Sequence, residues 1–329
     1  ALIASTYTDD DGDTNSFSVP IKVDDWLKND VPPWDFDIKE GKKLDAPGVE
    51  ITVTSLSAAA KSAFDNPSFL QNLKRTISRD YSLHLARGLS VFVNDQKIEG
   101  WKIELRQSDE FTPMRTEYQD VAVGEKVTVE LIAGMAAPPP DDVEPAEDEE
   151  GDKRFGWYVV CNGRIVLAAD KTSLSGWGTD GWPQWHRQYS GFMGIILFTS
   201  ISAEALPLTT TKRSVDVSSE VFRRAKPKMR EVTRQWIDYT NARKQALEQA
   251  KDREASATSV ALQQVARQES VRLPSYVAKP KERVANINYS VPLIRLNKLR
   301  TSLGNVNMAY RDVGIKSFDY MFDDYVGDD

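Results

Sequence analysis

A chain of 329 residues with 40% apolar and 28% charged residues has the make-up of a globular protein with room for two compact domains. Its one cysteine, Cys161, excludes an internal disulfide and a cysteine-built metal cluster, and no run of about 18 apolar residues exists to span a bilayer. The net charge of −7 is unevenly spread: residues 141–152 hold eight acids and no base, which leaves about +1 for everything else.

Residues 1–47 are rich in Asp, Pro and Gly with weak periodicity, so they read as irregular structure. The start ALIASTYTDDDGD has neither an initial Met nor a basic leader with an apolar core. The expectation is a truncated or processed chain of a soluble, cytoplasmic protein. From Gly48 the pattern sharpens. Val49, Ile51 and Val53 alternate with polar residues as a half-buried strand does. Asn66-Pro67 supplies an N-cap and a first-turn proline, and Phe69, Leu70, Leu73, Ile77, Tyr81 and Leu85 form one helical stripe. Gly88 suits a left-handed cap, and LSVFV with Asn94-Asp95 suggests a short strand and a turn.

WKIELRQ and EKVTVELIA carry further strand signals. Residues 138–153, proline-rich and then acidic, cannot bury a core and read as a disordered loop joining two strands of one sheet. FGWYVVC and RIVLAAD flank Asn162-Gly163, a strong hairpin signal. A Trp- and Gly-rich loop follows, then a buried strand from Gly191 to Ser200. After LPLTTTKRSVD comes a long helix with Phe222, Ala225, Met229, Val232 and Trp236 facing a core, and Pro227 should kink or split its first turns. The last stretch mixes one helix with short apolar pieces.

Few residues suit catalysis. His84 lies beside a helical stripe and His186 in the Trp-rich loop, and two lone histidines give neither a triad nor a ligand set. Gly176, Gly178 and Gly181 spell a dinucleotide fingerprint, but Trp182-Pro183 follows where a helix must start, so that reading is rejected. There is no Walker-A spacing. Lys212, after Thr209, Thr210 and Thr211, lies between a buried strand and a long helix, where an ammonium can meet a phosphate. Residues 212–244 hold ten bases and four acids, a local +6, with Arg223, Arg224, Lys226, Lys228, Arg230 and Arg234 on the helix. Such a run is most often a solvated face, and otherwise a nucleic-acid surface.

In their order, these segments resemble the GHKL ATPases, the group of gyrase, heat-shock chaperone, histidine kinase and MutL. GVEITVTSL, NPSFLQNLKRTISRDYSLHL and LSVFVND look like the closing strand, last helix and final strand of the nucleotide domain. GWYVVCNGRIVLAAD, GFMGIILFTSI and LPLTTTKRSV with its long helix are similar to the transducer domain of microrchidia-type members. The resemblance covers residues 48–245 and implies an α+β fold with a mixed sheet, packed helices and two domains, the second a β-α-β transducer with a long helix. The implied division is 1–100 for the end of the nucleotide domain, 101–255 for the transducer and 256–329 for a C-terminal module.

The resemblance also implies that Lys212 contacts the γ-phosphate of ATP, with Thr210 and Thr211 beside it, and that ATP and Mg²⁺ are held by an N-terminal domain of the full-length protein. The implied partners are that domain and a second protomer in a homodimer. DNA is a candidate partner; a membrane is not. The family's Glu and Asn for water and magnesium, its Asp-x-Gly-x-Gly turn and its glycine-rich lid do not occur in this sequence. No cofactor binding and no hydrolysis are therefore expected of this chain alone. Two other readings stand beside it: a nucleic-acid module on the basic helix, and an interaction scaffold anchored by Trp177, Trp182 and Trp185.

Overall fold

Strands whose residues are apolar without interruption need cover on both faces, and the centre of the chain is built that way. In the computed structural model, which describes residues 1–8, 12–28, 35–41, 43–141, 154–179, 181–212, 214–276 and 285–327, a five-stranded sheet has the order β11-β10-β12-β9-β8. Its strands are β8 (Met114–Ala122), β9 (Glu125–Met135), β10 (Gly156–Cys161), β11 (Arg164–Asp170) and β12 (Phe192–Thr199). β10 and β12 run parallel; the other pairs are antiparallel.

The period of two sorts the side chains. Trp157, Val159, Phe192, Ile196 and Phe198 enter one core, while Tyr158, Val160, Met193, Ile195 and Leu197 enter another on the opposite face. The long helix α5 (Glu220–Arg243) covers the first face with Phe222, Ala225, Met229, Val232 and Trp236, the stripe read from the sequence. Two buried indoles are satisfied across this contact: Trp157 Nε1 donates to Thr233 Oγ1 at 3.0 Å and Trp236 Nε1 to the Tyr189 carbonyl at 3.0 Å. Gly194 is required by packing, because the Trp157 ring comes within 2.5 Å of the place a Cβ would take.

Around this sheet the N-terminal elements are β1 (Leu2–Thr8), β2 (Thr14–Pro20), α1 (Val23–Trp26), β3 (Lys39–Glu40) and β4 (Gly48–Thr52), then α2 (Ala58–Phe64), α3 (Pro67–Asp80) and α4 (Ser82–Ala86). A hairpin of β5 (Phe92–Val93) and β6 (Gln96–Lys97) follows. β7 (Glu104–Gln107) pairs with β13 (Thr258–Ala261), which comes after α6 (Leu247–Ser256). All these lie in the compact unit Ala1–Val277. The other unit, Ala278–Asp329, holds α7 (Leu293–Ser302) and α8 (Tyr310–Tyr325). The division thus falls at 277/278, whereas the sequence reading placed boundaries at 100/101 and 255/256.

Several local signals act as read. Asn66 Oδ1 accepts from Ser68 N at 2.9 Å with Pro67 in the first turn. Gly88 ends α4 with paired bonds, Gly88 N to Leu85 O and Leu89 N to His84 O, a Schellman cap. Asn162 and Gly163 take φ of 46° and 81°, which gives the primed turn between β10 and β11. β9 and β10 belong to one sheet, as expected for the strands flanking the acidic loop; residues 142–153 of that loop lie outside the described residues.

Other expectations are corrected. Residues 1–47 are not irregular: β1, β2 and β3 join β4 in an antiparallel sheet of order β3-β2-β1-β4. β4 is not half-buried; Val49 and Ile51 are 65% and 64% exposed. The helical stripe from Phe69 to Leu85 is broken at Tyr81 into α3 and α4. Pro227 does not split α5, because burial of Phe222 and Ala225 before it and Met229 after it holds both turns on the sheet. The α+β class, the mixed sheet and the long helix are present. The β-α-β unit is not seen among the described residues: the parallel strands β10 and β12 are bridged by β11 and the Trp-rich loop, and the strand after α5, β13, pairs with β7.

Candidate functional site

β12 is the buried central strand of the five-stranded sheet, so the loop that follows it is anchored on the core. The chain leaves β12 through a short 3-10 turn, Ala203–Ala205, and returns toward α5 as a narrow loop. Leu208 and Val215 form an isolated antiparallel bridge at its base. Thr209 is the hub: its N–H donates to the Ser214 carbonyl at 3.0 Å, its hydroxyl accepts from Ser214 N at 3.3 Å, and its carbonyl accepts from Lys212 N at 2.7 Å. The last bond closes a four-residue turn. Thr209 and Thr211 hydroxyls stand 3.3 Å apart.

This closure puts Thr210, Thr211 and Lys212 together on the exposed tip. Lys212 has φ of 55°, a left-handed conformation that costs a residue other than glycine on the order of 1–2 kcal/mol. Strain of this kind is retained where the surroundings fix the backbone. Below the tip, Asp216 Oδ1 accepts from Ser218 N at 2.9 Å and from Ser218 Oγ at 2.6 Å, which leads the chain into α5; these bonds hold the Asp216 carboxyl below its ordinary pKa. The loop therefore offers one ammonium and two hydroxyls on a braced support. That donor set suits phosphate oxygen and not a divalent cation.

The basic residues of α5 divide into two groups. Arg224 is engaged by Asp120 at 3.0 Å, Glu220 at 2.9 Å and the Val121 carbonyl at 2.8 Å. Burial works to raise the Asp120 pKa, but hydrogen bonds from Arg224 and from Val121 N outweigh it and hold the carboxyl low. Lys228 lies over the Tyr118 ring at 3.7 Å. These two are committed to β8. Arg223, Lys226, Arg230 and Arg234 recur at steps of three and four along the remaining face, with Arg230 over Trp182 at 5.4 Å and Lys226 over Phe222 at 5.9 Å.

Neither the scan of protein-family models nor the comparison with curated proteins finds a match to this chain. The site rests on its geometry.

The other residues singled out in the sequence lie apart from this loop. Trp177 is 2% exposed at the centre of an aromatic cluster, 4.8 Å from Trp185, 6.1 Å from Trp182 and 5.4 Å from Tyr189. Trp177 belongs to the core and Trp185 packs against it partly buried, while Trp182 is half-buried at the edge of the cluster. His186 Nδ1 accepts from Gln188 N at 3.2 Å and caps a 3-10 turn. His84 packs under the β10–β11 turn, where its ring comes within 2.8 Å of the place a Gly163 Cβ would occupy. Gly176, Gly178 and Gly181 sit in turns with positive φ, and the next regular element is the 3-10 turn Arg187–Tyr189. No group of three or more metal-ligating side chains occurs among the described residues. No helix there is long and apolar enough to cross a membrane.

One cluster had no signal in the sequence. Arg243, 4% exposed, forks onto Glu254 with Nε to Oε1 at 2.7 Å and Nη2 to Oε2 at 3.0 Å. Its third nitrogen reaches Asp141 at 3.1 Å, Lys251 meets Asp141 at 2.8 Å, and the Tyr239 hydroxyl donates to Glu254. Burial and the Glu254 charge push the Tyr239 pKa far up, while the Lys251 hydrogen bond, ahead of Arg243, holds the Asp141 carboxyl low. The cluster locks α5 to α6 and to the segment after β9. Arg243 and Glu254 are eleven positions apart with a helix break between them, so no periodic pattern marks the pair.

Proposed function

We propose that this chain is the transducer-bearing part of a GHKL-type ATPase, in which Lys212 contacts the γ-phosphate of ATP held by an N-terminal nucleotide domain. The observation that carries this reading is the braced tip: an exposed lysine in a left-handed conformation, on a loop clamped by Leu208 and Val215, between a buried strand and a 24-residue helix. A compact ammonium stabilises charge on a phosphoryl oxygen, and Thr210 and Thr211 offer hydroxyl donors beside it. Because α5 begins a few residues past the tip and lies on the sheet, a shift of Lys212 bears directly on the helix. ATP supplies the phosphoryl group; Mg²⁺ and the water-activating groups belong, in this reading, to the nucleotide domain. The apolar face of the N-terminal sheet, where Phe17, Val49 and Ile51 are exposed and Ile3 and Val19 beside them half-buried, fits a surface that such a domain covers.

The test uses the longer protein that contains the nucleotide domain. Lys212→Ala is expected to lower ATP turnover by about a hundredfold or more while the melting temperature stays within about 1–2 °C, since two decades is the usual loss for one electrostatic contact to a developing charge. Turnover within about twofold of the parent contradicts the assignment.

A second reading draws on the basic stripe of Arg223, Lys226, Arg230 and Arg234, in which Arg230 lies over Trp182 and Arg234 pairs with Asp238 at 4.0 Å; its charge suits nucleic-acid phosphates. With about four phosphates neutralised, log affinity should fall with log salt at a slope near −0.9 per contact. Affinity that is flat with salt removes this reading.

A further inference from the structure

The ladder between β7 and β13 stops where its two chains part. Leu262 N donates to the Ile103 carbonyl at 3.3 Å, but the Leu262 carbonyl turns to Val265 N in the 3-10 turn Leu262–Gln264. Beside that parting lies a cleft of about 390 Å³, with residues 97–104 on one side and α4 with the residues after it on the other. All of residues 97–104 line it in succession, so this wall is largely main chain. The N–H groups of Gly100, Lys102 and Ile103 have no acceptor among the described residues. Ile103 is 9% exposed, and buried N–H groups are nearly always paired. Unpaired donors continuing a strand are what a further strand recognises. Ser82, 1% exposed, also lines the cleft, and its hydroxyl likewise lacks a partner. The apolar lining includes Leu83, Ile98 and Leu262, all buried.

Charge completes the site. Lys102 and Glu104 alternate with the buried Ile103 and Leu105, so they share the outer side, and neither has an ion pair among the described residues. We propose that this cleft docks an extended segment of a partner protein, which adds as a short strand along residues 100–103. In this mode main-chain bonds supply affinity and alternate side chains supply selection. One apolar side chain of the segment sits over Leu83, Ile98 and Leu262. On the outer side, an acid meets Lys102 and a base two positions away meets Glu104, as cross-strand pairs do. Unpaired donors along one stretch of backbone favour a peptide over a small molecule. No residue of the Lys212 loop lines the cleft, so docking there requires neither ATP nor Lys212.

A display library of short peptides, with valine at alternate positions and the others random, is panned on the whole chain. Enriched sequences are expected to carry an acid and a base two positions apart, and their binding to slow hydrogen exchange at Gly100, Lys102 and Ile103. N-methylation of the central amide of a synthetic enriched peptide should weaken binding about tenfold, the size of a lost main-chain bond. Lys102→Glu, an exposed change that leaves the fold intact, should exchange the acid for a base in the enriched sequences. Three results would each overturn the proposal: no enrichment, binding indifferent to N-methylation and to Lys102→Glu, or bound peptide that leaves those amides exchanging. So would amides already protected in the free chain, the sign of a cleft filled by a second copy or by the chain itself.

Discussion

The two large sheets of this protein differ in how their apolar faces are used. The five-stranded sheet is covered on both faces, and β12 is buried from Phe192 to Phe198. The N-terminal sheet is open on one: Tyr7 stacks on Phe17 at 5.9 Å, and β4 is exposed throughout. Alternation in GVEIT reports that a face is apolar; it does not report that anything lies on it. Burial on both sides makes the first sheet a platform, and the loop that carries Lys212 leaves from its buried central strand.

That contrast can be broken at graded sites. The largest effect is expected at the buried cluster behind the platform: Arg243→Met strands Glu254 and should cost about 3–5 kcal/mol, the usual loss when one partner of a buried pair is removed. A loss under 1 kcal/mol by urea unfolding would show that Glu254 finds water or another donor. Gly194→Ala comes next. Its methyl meets the Trp157 ring, a rigid buried neighbour, so destabilisation of about 1–3 kcal/mol is expected, with quenched order in Trp157 fluorescence; an unchanged melting curve would mean the ring moves freely.

Acid should act through the depressed carboxylates. The Asp141 pKa is lowered in the folded state, so its contribution is present above the ordinary carboxylate pKa of about 3.9 and is lost as pH falls below it. Asp141→Asn should flatten the stability profile between about pH 5 and pH 2, and a profile as steep as the parent's rules this group out as a contributor. The smallest effect belongs to the open sheet. Ile51→Thr keeps β-branching and removes only exposed surface, so stability should change by no more than about 0.5 kcal/mol. A loss of 2 kcal/mol would mean that face is covered in solution.

The same contrast explains what the sequence revealed. α5 was legible because a stripe at helical spacing meets a core, and β10–β11 because Asn162-Gly163 demands a primed turn. β1 and β2 were hidden: Ala4 and Thr6 point to the more buried side, so small and hydroxyl residues stand where large apolar ones mark a strand. β8 was missed for a related reason, since MRTEYQDVA carries Arg115, Glu117 and Asp120, whose charges are satisfied by Glu130, Arg267 and Arg224. At the candidate site, the loop and its lysine were readable from TTTK between two regular elements. Its closure through Leu208 and Val215 was not, and a positive φ at a lysine has no signature, because glycine is the residue that normally marks it.

The most direct test of the account is the ratio of affinities for a non-hydrolysable ATP analogue and for ADP, measured calorimetrically on the longer protein with and without Lys212→Ala. A γ-phosphate contact predicts that the variant loses at least about tenfold in analogue affinity, the size of one charge-assisted hydrogen bond, and leaves ADP affinity unchanged. Equal ratios in parent and variant would contradict it.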